Sequence, residues 1–178
     1  MSKLSVEQKF FLSEWIRVLF TFCVFYLCLF PLFYKILLLV ISDSFDCGFS
    51  KLIFGDWIDP NTEMYQISDK ITDTVCYTFL LIFLWQSQYL SEKSNIFLTI
   101  LYLFRFIGTT LYIVLQNRQY LLYFPNFFLE SSLILTGMKQ FSIPNIYLPF
   151  LFVLMIFWKF IQEYYLHVYK ENHPNAIL

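Results

Sequence analysis

Arg105 and Glu130 are the residues of this sequence whose types and placing point most directly to chemistry. Each interrupts an apolar run, residues 96–115 for Arg105 and residues 120–137 for Glu130. Only residues 116–119 separate the runs, so the two form a tight helical hairpin with its turn centred between Asn117 and Arg118. Each charge lies about 12 residues from that centre. At roughly 1.5 Å per residue both sit about 19 Å below the turn. Opposite charges are thus expected at one depth, near mid-membrane. A charge alone there costs roughly 2.5–3.5 kcal/mol on insertion scales, and pairing lowers that cost. The plainer reading is a buried pair that fixes hairpin register. The functional reading is a polar core in which Glu130 handles a proton or cation, or Arg105 holds an anion. Asn126 adds an amide beside Pro125, a residue able to bend the fourth run. Gly108, Thr109 and Thr110 allow close helix approach.

Asp69 and Asp73 stand four residues apart, so they share one face of a helix. Such a pair can hold a divalent cation with waters or a phosphate completing the shell. A solvated helix face is the favoured reading, and no metal is assigned. Lys159, Glu163 and His167 follow at i, i+4 and i+8. They read as headgroup-level charges on a helix leaving the membrane, with Trp158 and Tyr164 as interface anchors. The alternative is a relay of protons toward Arg105 and Glu130.

These residues sit in a chain of 178 residues that is 58% hydrophobic and only 14% charged, against about 25% in ordinary soluble domains. Aromatics reach 22%, with 23 Phe and 13 Tyr, and the mean hydropathy is +0.60. Disorder needs the opposite composition. A soluble globule of this length cannot bury so much apolar surface. A formal net charge of −1 without a basic patch argues against nucleic acid as a partner. Cys23, Cys28, Cys47 and Cys76 show neither C-x-x-C nor zinc spacing, and read as free thiols. The N-terminal stretch has no small-residue cleavage site ahead of its long apolar run, so it reads as an uncleaved first span.

Spans of about 20 apolar residues are expected at 16–41, 71–90, 96–115, 120–137 and 144–167. Lipid leaves the backbone no water to bond, so spans must be helices or closed barrels, and no period-two alternation supports a barrel. The long connection, 42–70, is acidic. Asp59-Pro60 is a helix start within it. Met64, Ile67, Ile71 and Val75 then alternate with Glu63, Gln66, Asp69 and Asp73 as two faces of an interfacial amphipathic helix leading into the second span.

The expected fold is all-α, a polytopic membrane helix bundle of about five transmembrane helices with one interfacial amphipathic helix, residues 1–178 forming a single integral membrane domain. A slight excess of Lys and Arg puts the N-terminus in the cytoplasm. No P-loop, G-x-G-x-x-G, H-E-x-x-H or G-x-S-x-G occurs, so no catalytic motif, catalytic residue or cofactor is assigned. The reading is a multi-pass integral membrane protein: a small transporter, channel subunit or membrane assembly factor with a buried Arg–Glu polar core. Its partners are the lipid bilayer and other membrane proteins. The alternative is a membrane-embedded enzyme acting on a lipid or lipid phosphate.

Overall fold

The computed structural model describes residues 5–44, 51 and 62–164. Helices account for the ordered elements, and no strand occurs among the described residues. The helices are α1 (Val6–Tyr26), α2 (Leu32–Ser44), α3 (Glu63–Ser87), α4 (Glu92–Leu115), α5 (Gln119–Tyr123), α6 (Phe127–Gln140) and α7 (Leu148–Tyr164), with a 3-10 turn at Asn145–Tyr147 leading into α7. The chain divides into two compact units, Met1–Tyr89 and Leu90–Leu178.

The first unit departs from the single helix expected over 16–41. Ser5 caps α1 with a reciprocal box, its hydroxyl accepting from the Gln8 amide while Gln8 accepts from the Ser5 amide. The helix ends at Tyr26, where Leu27 and Cys28 both donate to the Cys23 carbonyl. Pro31 cannot donate and disfavours helix at the residue before it. Its carbonyl instead accepts from Tyr34 and Lys35, opening α2.

The break is a reversal. Phe10 packs on Tyr65, Phe22 on Phe79 and Phe25 on Phe83, so α1 and α3 run parallel. Lys35 of α2 meets Phe25 and Phe83, while Asp43 meets Arg17 and Tyr77, so α2 runs against both. The carbonyl of Phe25, in the last turn of α1, accepts from Lys35 Nζ at 2.8 Å. A cation thus serves a carbonyl that the ended helix leaves open.

In the second unit Ser91 caps α4, accepting from the Ser94 amide, and Gln116 closes it in the left-handed region at φ 53°. The run expected over 120–137 is two helices, α5 and α6, broken at Pro125. Phe104 packs on Phe124 and Tyr102 on Phe128, so α5 and α6 descend against α4. Gly108 makes this approach possible: a Cβ there would overlap the Phe124 Cβ and lie 2.8 Å from its Cγ. Phe127 packs on Phe160 and Phe97 on Phe152, so α7 returns antiparallel to α6 and parallel to α4.

Both units bury polar and charged side chains among apolar ones and leave many large apolar side chains exposed. Ser131, Ser132 and Thr136 of α6 are fully buried, while on α7 Val153, Phe157 and Trp158 are exposed and Lys159 is buried. In α1 the buried face carries Ser13, Glu14, Arg17 and Thr21, and the open face Leu12, Trp15 and Leu19. Soluble proteins bury Lys, Arg and Glu rarely and leave large apolar patches seldom. Glu92–Leu115 and Asn145–Gln162 are long and apolar enough to cross a membrane. The other expected spans divide by cause. Proline leaves α2 at 13 residues, α5 at 5 and α6 at 14. The longer α1 and α3 carry charges in their N-terminal halves.

Candidate functional site

The densest set of ionisable groups lies in the first unit, around Arg17. A repeat of polar residues at 14, 17 and 21 runs down one face of α1, and α3 lays Asp69 and Asp73 against it. Arg17 is only 1% exposed. Its Nη1 donates to Asp69 Oδ1 at 3.2 Å and its Nη2 to Asp73 Oδ1. Glu14 Oε2 stands 3.6 Å from Nη1, and Asp43 Oδ1 3.9 Å from Nη2. Lys70 Nζ reaches the outer oxygens, Asp69 Oδ2 at 2.5 Å and Asp73 Oδ2 at 3.1 Å. Tyr77 donates to Asp43 at 2.8 Å, and Thr21 donates to the Arg17 carbonyl.

Four carboxylates therefore surround two cations, and the set carries excess negative charge. Two of its buried atoms, Glu14 Oε2 and Arg17 Nε, have no hydrogen-bond partner. Burial pushes Glu14 up to about 7, against the pull of Arg17 and with the help of the Asp69 charge. Glu14 precedes the apolar run and holds or releases its proton near neutrality.

Asp69 and Asp73 are thus not a solvated helix face. Both are buried, and their oxygens are taken by Arg17 and Lys70. The α3 stripe is inverted relative to an interfacial helix: the carboxylates face α1, while Ile71 and Val75 are exposed. The cause is Arg17, whose buried charge requires opposite charges on the neighbouring helix. No group of three or more His, Cys, Asp or Glu among the described residues is arranged to hold a metal ion.

The second unit separates the expected Arg105–Glu130 pair. Arg105 Nη1 donates to the backbone carbonyls of Phe124 at 2.8 Å and Leu121 at 3.4 Å. Glu130 pairs instead with Lys159, Oε1 to Nζ at 2.6 Å. Lys159 also reaches Gln162 Oε1 at 3.3 Å. The depth arithmetic fails at the break. Phe124 and Asn126 have extended or irregular dihedrals, and such backbone advances about 3.3 Å per residue rather than 1.5. Tyr102 consequently meets Phe128, placing Glu130 nearer the level of residue 100 than of Arg105.

Asn126 is buried at the start of α6, as the N-cap position of that helix. Lys159 pairs with Glu130 of the neighbouring helix and also donates to Gln162 of its own. The side chain of Glu163 and all of His167 lie outside the described residues, as do Asp59, Pro60 and Cys47. The described part of α3 begins at Glu63 after Thr62, close to the expected helix start, and continues without a break to Ser87.

Sequence reasoning missed Glu14, Arg17, Lys35, Asp43 and Lys70. The 14–17–21 repeat was the available signal for the first two. Comparisons with protein-family models, curated proteins and solved structures found no match to this chain.

Proposed function

We propose that this chain is a multi-pass integral membrane protein of the transporter or channel-subunit kind, with a proton or small cation handled at the Arg17 cluster. One observation carries the reading: a fully buried arginine is held among four carboxylates, more negative charge than its own positive charge and that of Lys70 can balance. Ionisable groups buried in a lipid-facing protein mark ion and proton pathways more often than structure alone requires. Asp43 is the most exposed member, with 28% of its side chain open, and offers the approach to the buried members. The many large apolar side chains exposed on both units, Trp15, Leu19, Phe157 and Trp158 among them, support the bilayer as solvent.

The same cluster weighs against an enzyme that acts on lipid phosphates. Such an enzyme needs carboxylate oxygens free for a metal or cations free for a phosphate, and here each set occupies the other. The N-terminus is read as cytoplasmic. The first apolar run enters and turns back at residues 27–30, in place of a single crossing.

Purified chain in proteoliposomes carrying a pH-sensitive dye tests the reading. A proton or potassium gradient should relax faster than in empty vesicles, and Asp43→Asn and Asp73→Asn should each slow it at least tenfold. No flux above empty vesicles under proton, sodium or potassium gradients would overturn it.

A further inference from the structure

In the second unit a cavity of about 520 Å³ opens between the start of α4, the end of α6 and the turn that leads into α7. Its polar lining is Ser91, Ser94, Lys139, Ser142 and Asn145, and its apolar lining includes Leu135, Met138 and Leu148. None of the lining residues is Asp or Glu. The balance is the reverse of that around Arg17: one cation, several neutral donors and no carboxylate.

The donors converge from separate elements. Ser91 caps α4 by accepting from the Ser94 amide, and the two hydroxyls stand 2.9 Å apart. Whichever of them donates to the other, one hydroxyl proton of the pair is left for a third group. Past the end of α6, Ser142 is held at φ 53°, its amide donating to the Lys139 carbonyl and that of Ile143 to the Met138 carbonyl. Lys139 brings an ammonium with three donors, and Asn145 a side-chain amide with two. A carboxylate ligand offers two oxygens in one plane, too few for donors that arrive from α4, α6 and the turn. A phosphate presents its oxygens tetrahedrally and takes charge-assisted bonds from such a set.

The place of the cavity names the source of the phosphate. Glu92–Leu115 and Asn145–Gln162, the segments long and apolar enough to cross a membrane, both begin at it. Phe97 packs on Phe152, so the two segments start near one level. With both segments spanning, the cavity stands at the headgroup level of the bilayer. We propose that this cavity binds a phosphate carried on a membrane lipid, its oxygens taking Lys139, Ser142, Asn145 and the Ser91–Ser94 pair, and the glycerol end of its chains lying on Leu135, Met138 and Leu148. The inference rests on the membrane placement of the second unit and not on ion movement at Arg17.

The full chain in a non-ionic detergent is titrated with dioctanoyl phosphatidic acid and with dioctanoylglycerol, which lacks the phosphate, and bound lipid is counted by native mass spectrometry. The phosphatidic acid should bind at a concentration at least tenfold lower than the diacylglycerol. Lys139→Gln should weaken the phosphatidic acid at least fivefold and leave the diacylglycerol unchanged. Lys93→Gln, an exposed lysine of α4 outside the cavity, should change neither. Leu135→Trp, which narrows the cavity and keeps its donors, should weaken both lipids, and it carries the test if Lys139→Gln does not fold. Equal binding of the two lipids would overturn the proposal, as would a loss with Lys93→Gln as large as that with Lys139→Gln, or binding that survives Leu135→Trp. Inorganic phosphate displacing the lipid at equal concentration would make free phosphate the ligand and overturn the lipid source.

Discussion

Arg105 Nη1 lies 3.4 Å from the carbonyl of Leu121, the acceptor that residue 125 would serve in an unbroken helix. Residue 125 is proline and has no N–H to offer. The same guanidinium nitrogen takes the Phe124 carbonyl at 2.8 Å. Lys35 does the equivalent for Phe25 in the first unit. Each unit breaks a leg at or near a proline, and each places a buried cation where backbone acceptors are left over. In a medium without water an unsatisfied carbonyl costs several kcal/mol, so these two cations are part of what makes the breaks tolerable.

Arg105→Met should therefore destabilise the chain by about 2 kcal/mol, the range for a charged donor lost from buried acceptors. Pro125→Ala restores a donor at the break. In a double-mutant cycle the two substitutions should couple, Arg105→Met costing less when Pro125→Ala is already present. Thermal unfolding in detergent measures it, and strict additivity would contradict the account.

The helical fold was legible because apolar runs of membrane length leave few alternatives. The breaks were only half legible. Pro31 and Pro125 announce an interruption, but the sequence does not say whether a chain bends or reverses there. Reversal at residues 27–30 follows from Asp43 reaching Arg17 and Tyr77, contacts that no local pattern encodes. The site was misplaced for a related reason. Arg105 and Glu130 stood out because each interrupts an apolar run, whereas Arg17 sits at the edge of one and resembles a flanking charge. Asp69 and Asp73 were visible as a pair, but their burial depends on a cation 52 and 56 residues away.

The reversal has a consequence for sidedness. Because α1 and α3 are parallel, the proposed membrane placement would put their N-terminal ends on one side of the bilayer. A single crossing over 16–41 would place them on opposite sides. Glu7→Cys and Glu63→Cys, introduced after the native cysteines are replaced, should react with a membrane-impermeant maleimide from the same side in oriented vesicles. Labelling from opposite sides would restore the single crossing and remove the α1–α2 hairpin.

Glu130 and Lys159 should behave as the energetic pair of the second unit. Lys159 is buried and Glu130 partly open, with side chains 7% and 26% exposed. Lys159→Met leaves a partly buried carboxylate and should cost about 1–3 kcal/mol, below the figure for a fully buried pair. Glu130→Gln on that background should recover part of the loss. The cycle between Arg105 and Glu130 should show coupling under about 0.5 kcal/mol, as for groups sharing no partner. Strong coupling between Arg105 and Glu130, with none between Glu130 and Lys159, would reverse this assignment.

Glu14 gives the first unit a dependence on pH whose direction follows from its burial. Its ordinary value is 4.5, and the fold raises it to about 7. Between those values the folded chain keeps a proton that the unfolded chain has released. Unfolding then liberates a proton, so raising the pH favours the unfolded state. The stability tied to the protonated form is fully present below about pH 4.5 and is lost as the pH rises through 7. Glu14→Gln keeps the shape and has no proton to lose, while leaving Arg17, Asp43, Asp69, Lys70 and Asp73 in place. The melting temperature of the native chain in detergent should therefore fall relative to that of Glu14→Gln between about pH 5 and pH 8. Curves that stay parallel across this window would mean that Glu14 is ionised throughout, with its charge matched by Arg17 in the folded chain.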